Sequence, residues 1–256
     1  MFQNLFLDER LVIVFVLILI RVSSYLLSSS IFNSYQVSAP LKILISLIIS
    51  LVAFEAYKTT KVPVDSLIIV LAAKEVILGV ALGMVTRFFF YALNMASELT
   101  SQALGLGSAS IYNPLSGINS SLIEQFQGTL AILIFFALEG HHLIVSAVFQ
   151  SFELVSISQM SIKFGGLGEF VKWCQILFEI ALKVAAPVVS SLFLVNLGMG
   201  ILGRAVPQIN VFVTSFQVTI MVGFLILFIS MPLYINEVMR ILDLTQTQML
   251  KVMGSF

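Results

Sequence analysis

The residues of this sequence that could carry chemistry are ionisable side chains set inside long apolar stretches. A charge centred in a bilayer costs at least about 2.5–3.5 kcal/mol on insertion scales, so each needs a partner or water. Glu179 and Lys183 are four residues apart with the acid first, so one interpretation is that they neutralise each other within a helix, and the other is that they pair with other helices. Lys74 and Glu75 are adjacent and point from different faces of a helix, which predicts partners on other helices or other chains. The set comprises Arg21, Lys42 and Glu55, together with the charges predicted to pair between helices, namely Lys74, Glu75, Glu139, Glu179 and Lys183.

His141 and His142 follow Glu139, and this grouping raises the question of a metal-dependent hydrolase. The motif H-E-x-x-H places two histidines one helical turn apart, whereas adjacent histidines point about 100° apart and cannot share one metal in that way. We therefore predict no metal site here and a hydrogen-bonding role at a helix bend. The sequence also lacks a nucleophile elbow, a Walker loop and a complete dinucleotide fingerprint, so it predicts neither an enzyme nor a cofactor.

A small, polar, glycine-rich loop at residues 105–117 separates two long helical patterns. Its glycines permit positive φ, and Pro114 disfavours the α conformation at Asn113, so a regular helix does not run through it. Irregular backbone facing lipid would leave peptide groups unpaired, so the loop must line a cavity or reach water. The residues on which this prediction rests are Gly105, Leu106, Gly107, Ile111, Tyr112, Asn113, Pro114 and Gly117.

The composition sets the class of protein that must hold these residues. Of 256 residues, 59% are hydrophobic and 10% are charged, and the mean hydropathy is +1.07, whereas soluble domains are about one quarter charged. The sequence therefore predicts an all-α integral membrane protein. Lysine plus arginine equals aspartate plus glutamate at 13 each, so net charge gives no reason to expect a nucleic-acid partner. The single Cys174 excludes an internal disulfide.

Six hydrophobic runs are predicted to form helical segments, on the scale of a hydrocarbon core about 30 Å thick. The third begins near Asp65, a candidate N-cap, and would extend about 60 Å as one helix, so part of it must project or bend. Gly79 and Gly83 form a G-x-x-x-G pair that lets another helix approach closely. The fourth run is interrupted at residues 139–142. The runs cover residues 11–31, 41–57, 65–104, 126–149, 173–197 and 211–235.

A second small and polar loop, residues 198–210, separates the fifth and sixth runs. An even number of crossings puts both ends on one side, and the positive-inside bias predicts that this side is the cytoplasm, with Arg204 opposite. The first run exceeds signal-peptide length and lacks a small-residue cleavage site, so we expect it to be retained. Two polar loops at depth, with many polar residues inside helices, suit a pore or a gate.

Four blocks of sequence occur in an order that resembles one known family. They are residues 97–106, residues 113–117, the Glu-Gly-His-His block at 139–142 and the long block at 196–212, which begins Asn-Leu-Gly-Met-Gly-Ile-Leu-Gly-Arg. Together they resemble the flagellar biosynthesis protein FliR family, the R component of the type III secretion export gate, over essentially the whole chain. The resemblance implies a multi-pass structural subunit of the bacterial inner membrane, at the flagellar basal body, without enzymatic activity or cofactor.

The resemblance also implies partners. Members of the family join several copies of the P and Q components in a closed helical assembly, usually with one R subunit, around a channel that passes unfolded flagellar proteins. Within a single export-gate domain of residues 1–256, it implies a P-like part at about 1–170 and a Q-like C-terminal hairpin at about 171–256. In such a hetero-oligomer of helical hairpins, much of the assembly lies above the membrane plane that hydropathy alone suggests.

Two sites follow from the same resemblance. The family's loop before its D-P-x-S-G block acts as a plug in the closed channel, and residues 105–117 correspond to it. Asn113 stands where aspartate is common and Leu106 where an aromatic residue often stands, although Tyr112 can supply that bulk. Residues 196–210 resemble the turn of the Q-like hairpin, which faces the cytoplasm and the B switch component, and this takes precedence over the opposite placement of Arg204. The implied turn residues are Gly200, Gly203, Arg204, Pro207, Gln208 and Asn210.

Other hypotheses stay open at this point. The first loop is alternatively a tight helix connection, and the second a plain helix-turn-helix with a solvated arginine. An intramembrane hydrolase would need His141 or Glu139, and the equivalent subunit of a virulence injectisome is the alternative within the same type of apparatus. A secondary transporter predicts inverted repeats, which are not evident between residues 1–125 and 126–256. Its ion sites would be the intramembrane glutamates Glu55, Glu75, Glu139 and Glu179.

Overall fold

The computed structural model describes residues 9–30, 38–59, 68–106, 121–157, 167–208 and 210–254. These residues form eight helices and no strand. Five of the helices are long and apolar enough to cross a membrane, and six spans result if one broken pair counts as a span. The prediction of an all-α integral membrane protein is confirmed. In chain order the helices are α1 (Glu9–Ser28), α2 (Ala39–Tyr57), α3 (Ile68–Ala103), α4 (Leu122–Ala137), α5 (Gly140–Leu154), α6 (Leu167–Ala205), α7 (Val211–Ile229) and α8 (Met231–Gly254).

The first three helices follow the predicted runs closely. Pro40 stands in the first turn of α2, where its missing N–H leaves no intrahelical bond unmade, and Ser38 precedes the helix in an extended conformation. The third helix, α3, is 36 residues long, so it extends about 54 Å and is longer than the hydrocarbon core is thick. The predicted cap at Asp65 lies outside the described residues.

The fourth run is interrupted where the sequence indicates. The first piece, α4, begins with a Ser-x-x-Glu cap, in which Ser121 Oγ accepts the Glu124 N–H at 3.2 Å. It ends at Ala137, and Glu139 adopts a left-handed backbone with φ 55° before α5 begins. A non-glycine residue in that conformation cannot continue a helix, so the run becomes two helices.

The sixth run departs from its prediction. It ends as α7 at Ile229, and after Ser230 a new helix, α8, continues to Gly254 rather than stopping near Pro232. Hydropathy misses α8 because the helix is amphipathic: Val238, Ile241 and Leu242 are buried, while polar residues make up much of its exposed side. Proline at the second position of α8 fits a helix start and explains the break.

Contacts divide the chain into two compact units. Unit 1 comprises Met1–Phe89, Glu139–Phe170 and Asp243–Phe256, and unit 2 comprises Phe90–Leu138 and Val171–Leu242. These units are defined by contacts within the chain, whereas the P-like and Q-like parts rest on the resemblance to the family. The latter division stays a prediction.

Unit 1 uses two glycines to bring α3 against α1. A Cβ built on Gly79 would lie 2.6 Å from the Arg21 carbonyl oxygen, and one built on Gly83 would lie 2.6 Å from the Tyr25 carbonyl oxygen. Ser28 Oγ donates to the Gly79 carbonyl at 3.4 Å across the same contact. The predicted close approach at the G-x-x-x-G pair is therefore confirmed, and α1 is the helix that makes it.

Unit 2 is built around an apolar cluster. Its buried members come from the residue directly after α3, from α4, from α6 and from α7, and none is more than 6% exposed. The cluster lies directly beneath the first residues of the glycine-rich loop, because Leu104 belongs to it and Leu106 packs against it. The members are Leu104, Ile123, Val188, Leu192 and Leu227.

Candidate functional site

A cluster of three charges is buried in unit 1. Arg21 donates to both carboxylate oxygens of Glu75, through Nε to Oε2 and through Nη2 to Oε1 at 2.9 Å. Lys74 Nζ lies 3.2 Å from Glu75 Oε1. The exposed fractions of Arg21, Lys74 and Glu75 are 1%, 2% and 0%. A planar guanidinium matched to a carboxylate in this way is the strongest form of ion pair in proteins.

The two cations of this cluster also hold the end of α5. Arg21 donates through Nη1 to the Ser151 carbonyl at 2.8 Å and through Nη2 to the Val155 carbonyl at 3.0 Å. Lys74 Nζ donates to the Ser156 carbonyl at 2.8 Å. Carbonyls at a helix C-terminus carry partial negative charge, and those of Val155 and Ser156 lie beyond the last residue of the helix, so two cations are favoured there. The cluster has two cations and one carboxylate, and these carbonyls stabilise the positive charge that Glu75 does not balance.

An aromatic ring completes the surroundings of Arg21. The Arg21 guanidinium carbon lies 4.2 Å from the centroid of the Phe152 ring, within range of a cation–π interaction. Phe152 in turn contacts Tyr57 of α2, with ring centroids 5.3 Å apart. The cluster therefore ties α1, α3 and α5 together and reaches α2. The sequence predicted partners on other helices for both Lys74 and Glu75. Glu75 has such a partner in Arg21, whereas Lys74 lies beside Glu75 itself, so Glu75 is the partner that the two cations share.

Glu179 and Lys183 do not pair with each other, so the local pairing is wrong, and each of them pairs instead with a residue of another helix. Lys183 Nζ binds Glu237 Oε1 at 2.9 Å, and Glu179 Oε1 accepts from Arg240 Nη2 at 2.9 Å. Arg240 Nη1 lies 3.4 Å from Glu237 Oε2, which closes a four-residue network between α6 and α8. The predicted pair fails because α8 presents charges of opposite sign to each member. The signal for this network in the sequence is the i,i+3 spacing of Glu237 and Arg240.

This second network is open to solvent on one side. The exposed fractions of the Glu179, Lys183 and Arg240 side chains are 53%, 49% and 37%, whereas that of Glu237 is 5%. The hydrogen bond to the Glu179 carboxylate raises the pKa of the Arg240 guanidinium, so this side chain stays charged at any physiological pH. Glu139, which sequence analysis grouped with the buried charges, is also exposed and occupies the N-cap of α5.

The glycine-rich loop starts from a well-defined helix end. Gly105 N–H donates to the Gln102 carbonyl at 3.0 Å and Leu106 N–H donates to the Ser101 carbonyl at 3.1 Å. With Gly105 at φ 76°, these two bonds form a Schellman motif, which ends α3 at Ala103. The other predicted loop residues lie outside the described part of the chain: Gly107, Ile111, Tyr112, Asn113, Pro114 and Gly117.

The second loop is shorter than predicted. Gly200, Gly203 and Arg204 belong to α6, which continues to Ala205, and only residues 206–210 separate it from α7. Glycine lowers helix propensity by about 1 kcal/mol but does not end a helix by itself, whereas Pro207 disfavours the helical conformation at Val206. A Cβ on Gly203 would lie 3.1 Å from Val211 Cγ2. The absence of a side chain at Gly203 therefore leaves room for Val211 at the start of α7.

The exposed end of this turn carries polar side chains. Arg204, Pro207, Gln208 and Asn210 are all exposed. Asn210 is also the N-cap of α7, where its Oδ1 accepts the Val213 N–H at 3.5 Å and its carbonyl accepts the Thr214 N–H at 3.1 Å. Hydrogen-bonding groups are thus exposed where α6 ends and α7 begins.

Comparison with known proteins gives a consistent family. The profile described as Bacterial export proteins, family 1, matches residues 12–245. The flagellar biosynthetic protein FliR of Bacillus subtilis (strain 168) is 32% identical over 235 residues, which are 90% of this chain and 91% of that protein. The flagellar biosynthetic proteins FliR of Escherichia coli (strain K12) and Aquifex aeolicus (strain VF5) are 27% and 26% identical and cover 84% and 88% of this chain, with 83% and 88% of their own lengths matched. The chain therefore belongs to bacterial export protein family 1, the family of the flagellar biosynthetic protein FliR.

Proposed function

We propose that this chain is a structural subunit of the flagellar type III protein export gate in the bacterial inner membrane. In this role it forms part of the channel through which unfolded flagellar proteins cross the membrane, while other components supply the energy. The observation that carries the proposal is the family match over residues 12–245, together with relatives matched along most of their length that are called flagellar biosynthetic proteins. Its place is the flagellar basal body.

Large apolar side chains on the surface support membership in an assembly. The exposed fractions of Ile69, Phe212 and Phe228 are 80%, 85% and 78%. Such side chains require lipid or protein around them. We propose that the neighbours are several P and Q components around one copy of this chain, with about residues 1–170 in a P-like position and about 171–256 in a Q-like position.

We propose that residues 105–117 act as the plug that keeps the channel closed. Two features of the described residues support this role. The Schellman motif fixes the start of the loop, since it sets the direction in which the chain leaves α3. Leu104 anchors that start in the apolar cluster of unit 2, where it is fully buried. A loop anchored firmly at its base and rich in small residues can be displaced without unfolding the helices.

We propose that the turn between α6 and α7 meets the cytoplasmic B switch component. Arg204, Gln208 and Asn210 are exposed there and offer several hydrogen-bond donors to a neighbouring chain. A solvated helix-turn-helix without a partner is the competing hypothesis. Reversing the charge at Arg204 separates the two hypotheses, because only a turn with a partner should lose co-purifying proteins or secretion.

The transporter hypothesis receives less support from the glutamates it would use. Glu55 forms an ion pair with Lys58, Glu75 with Arg21, and Glu179 with Arg240. A glutamate that binds a transported cation must be free to change partner, whereas the Glu75 carboxylate is enclosed by two cations. The equivalent subunit of an injectisome would share this geometry, and the names of the relatives favour the flagellar apparatus.

The plug is tested by deleting residues 107–117 and joining the ends with a short Gly/Ser linker, which retains the Schellman motif. The variant is expressed with the neighbouring genes of its operon, and ion permeability is measured in cells and in liposomes that hold the purified complex. We expect an assembled complex that leaks ions. Normal assembly with unchanged permeability would remove the plug from the proposal.

A further inference from the structure

We infer that Gly223 of α7 is a positioning residue for the plug, because its missing side chain forms the notch in which Leu104 is seated. This inference rests on the proposed function of residues 105–117. Leu104 is the residue directly before the loop, so the position of its side chain determines where the loop begins. The seat is defined here as Leu104, Gly105, Phe216 and Gly223.

The notch is visible in the space around Gly223. A Cβ built on Gly223 would overlap Leu104 Cδ2, and it would lie 3.3 Å from Leu104 Cγ and 3.5 Å from Leu192 Cδ1. Leu104 is 0% exposed and is surrounded by the other members of the apolar cluster, so it has little room to move aside. The absence of a side chain at Gly223 is therefore what allows Leu104 to occupy its position.

A second contact lies on the same face of α7. A Cβ on Gly105 would lie 3.7 Å from Phe216 Cε2, in ordinary van der Waals contact. Phe216 and Gly223 are seven residues apart, which is close to two helical turns, so they share one face of the helix. The last residue before the loop and the first residue of the loop are thus both seated along α7.

The neighbours of Gly223 differ in kind from those of the glycines in unit 1. Gly79 and Gly83 each meet a serine hydroxyl and a backbone carbonyl oxygen, and a second substitution can remove the hydroxyl but not the carbonyl. Gly223 meets the end of a side chain, and shortening that side chain makes room for a new methyl group. Gly128 of α4 has no atom within 4 Å of a built Cβ, so it supplies a control in which the same methyl group enters open space.

The experiment measures ion leak and thermal stability of the assembled complex for Gly223→Ala, Leu104→Val, their combination, Gly128→Ala and the deletion of residues 107–117. Gly223→Ala should overpack the seat and raise the resting leak by about tenfold or more. Gly128→Ala should leave the leak unchanged. The combination exchanges volume between the two positions, so it should restore closure and recover most of the lost melting temperature.

The outcomes separate the seat from the plug. If the deletion leaks while Gly223→Ala stays closed, the seat is wrong and the plug stands. If stability losses at positions 104 and 223 are simply additive, the seat is also wrong, because residues in contact must couple. If the deletion itself does not leak, both the plug and the seat are overturned. Should Gly223→Ala fail to assemble, Leu104→Ala, which only removes atoms, replaces it, and it must leak for the seat to hold.

Discussion

Two charge networks in this chain, one in each unit, differ in how far they are buried. In unit 1, Arg21, Lys74 and Glu75 are at most 2% exposed, and backbone carbonyls at the end of α5 complete their hydrogen bonding. In unit 2, Glu179, Lys183 and Arg240 form ion pairs while between 37% and 53% of each side chain stays exposed. The buried cluster of unit 1 therefore stabilises the fold of the chain itself. The exposed charges of the unit 2 network remain accessible to water or to a neighbouring subunit.

Removing Glu75 should have the largest effect on this comparison. Glu75→Ala leaves Arg21 and Lys74 buried without a counter-charge, which typically destabilises a protein by about 3–5 kcal/mol. We expect a sharply lower melting temperature of the detergent-solubilised chain. Glu55→Ala is the matched control, because Glu55 also forms an ion pair, with Lys58, but its side chain is 71% exposed. Equal losses for the two variants would contradict a structural role for the buried cluster.

Adding a methyl group at the contact between α1 and α3 should have the next largest effect. Gly79→Ala brings a Cβ into overlap with Ser24 Oγ and to 2.6 Å from the Arg21 carbonyl oxygen, so the helices must move apart. Overpacking of this kind costs about 1–3 kcal/mol. Combining it with Ser24→Ala should not restore the melting temperature, because the backbone carbonyl stays in place. Full recovery in the double variant would show that the helices are not held at this distance.

The ring beneath Arg21 should contribute less. Phe152→Leu removes the cation–π contact and part of the packing, with an expected loss of about 1 kcal/mol. Phe193→Leu is the control, since Phe193 is 62% exposed. The comparison is measured as the difference between the two melting temperatures. No difference would mean that Arg21 is held by its hydrogen bonds alone.

Weakening the exposed network should barely affect the isolated chain. Glu179→Gln removes one charge of a solvent-exposed pair, which is worth about 0–1 kcal/mol. In the assembled complex the loss should be greater if a subunit covers this surface, because burial strengthens the interaction between charges. Thermal unfolding of the chain alone and of the complex gives both values. A large loss of stability in the chain alone would contradict the difference between the buried and the exposed charge network.

Reversing Arg204 should have the smallest effect on the fold. Arg204→Glu changes an exposed residue in the last turn of α6, and such substitutions usually change stability by less than about 0.5 kcal/mol. We expect reduced co-purification of partner proteins, or reduced secretion, at an unchanged melting temperature. Gln208→Ala removes another polar side chain of the same turn, and we expect a smaller reduction than for Arg204→Glu. Unchanged secretion together with unchanged co-purification would leave the turn without a partner.

Hydrophobic runs predicted most of the helices because membrane spans must be apolar over their whole length. The same rule missed α8, which is amphipathic, and it joined the first residues of α8 to the run that forms α7. It also assigned Gly200, Gly203 and Arg204 to a loop, since glycine-rich sequence resembles a turn when packing partners are unknown. Gly203 remains helical beside Val211, a contact that only the folded hairpin provides.

The candidate sites were harder to predict than the helices. The spacing of Glu179 and Lys183 indicated a local pair, but long-range partners on α8 won because Glu237 is nearly buried and needs a cation. Arg21 stood out in its apolar run, yet its bonds to Glu75 and to α5 join residues 54 and 130 positions away in sequence. The G-x-x-x-G pair was the feature whose packing role the sequence predicted directly, since few other residues allow two helices to approach so closely.

The central claim is that this chain works as one subunit of a protein export gate. The most direct measurement is the native mass and subunit content of the detergent-extracted complex, isolated through a tag on this chain after expression with its neighbouring genes. The account predicts one copy of this chain with several copies of other small membrane proteins. A lone monomer or a homodimer would contradict it, and the intramembrane glutamates would then become the residues to test for ion transport.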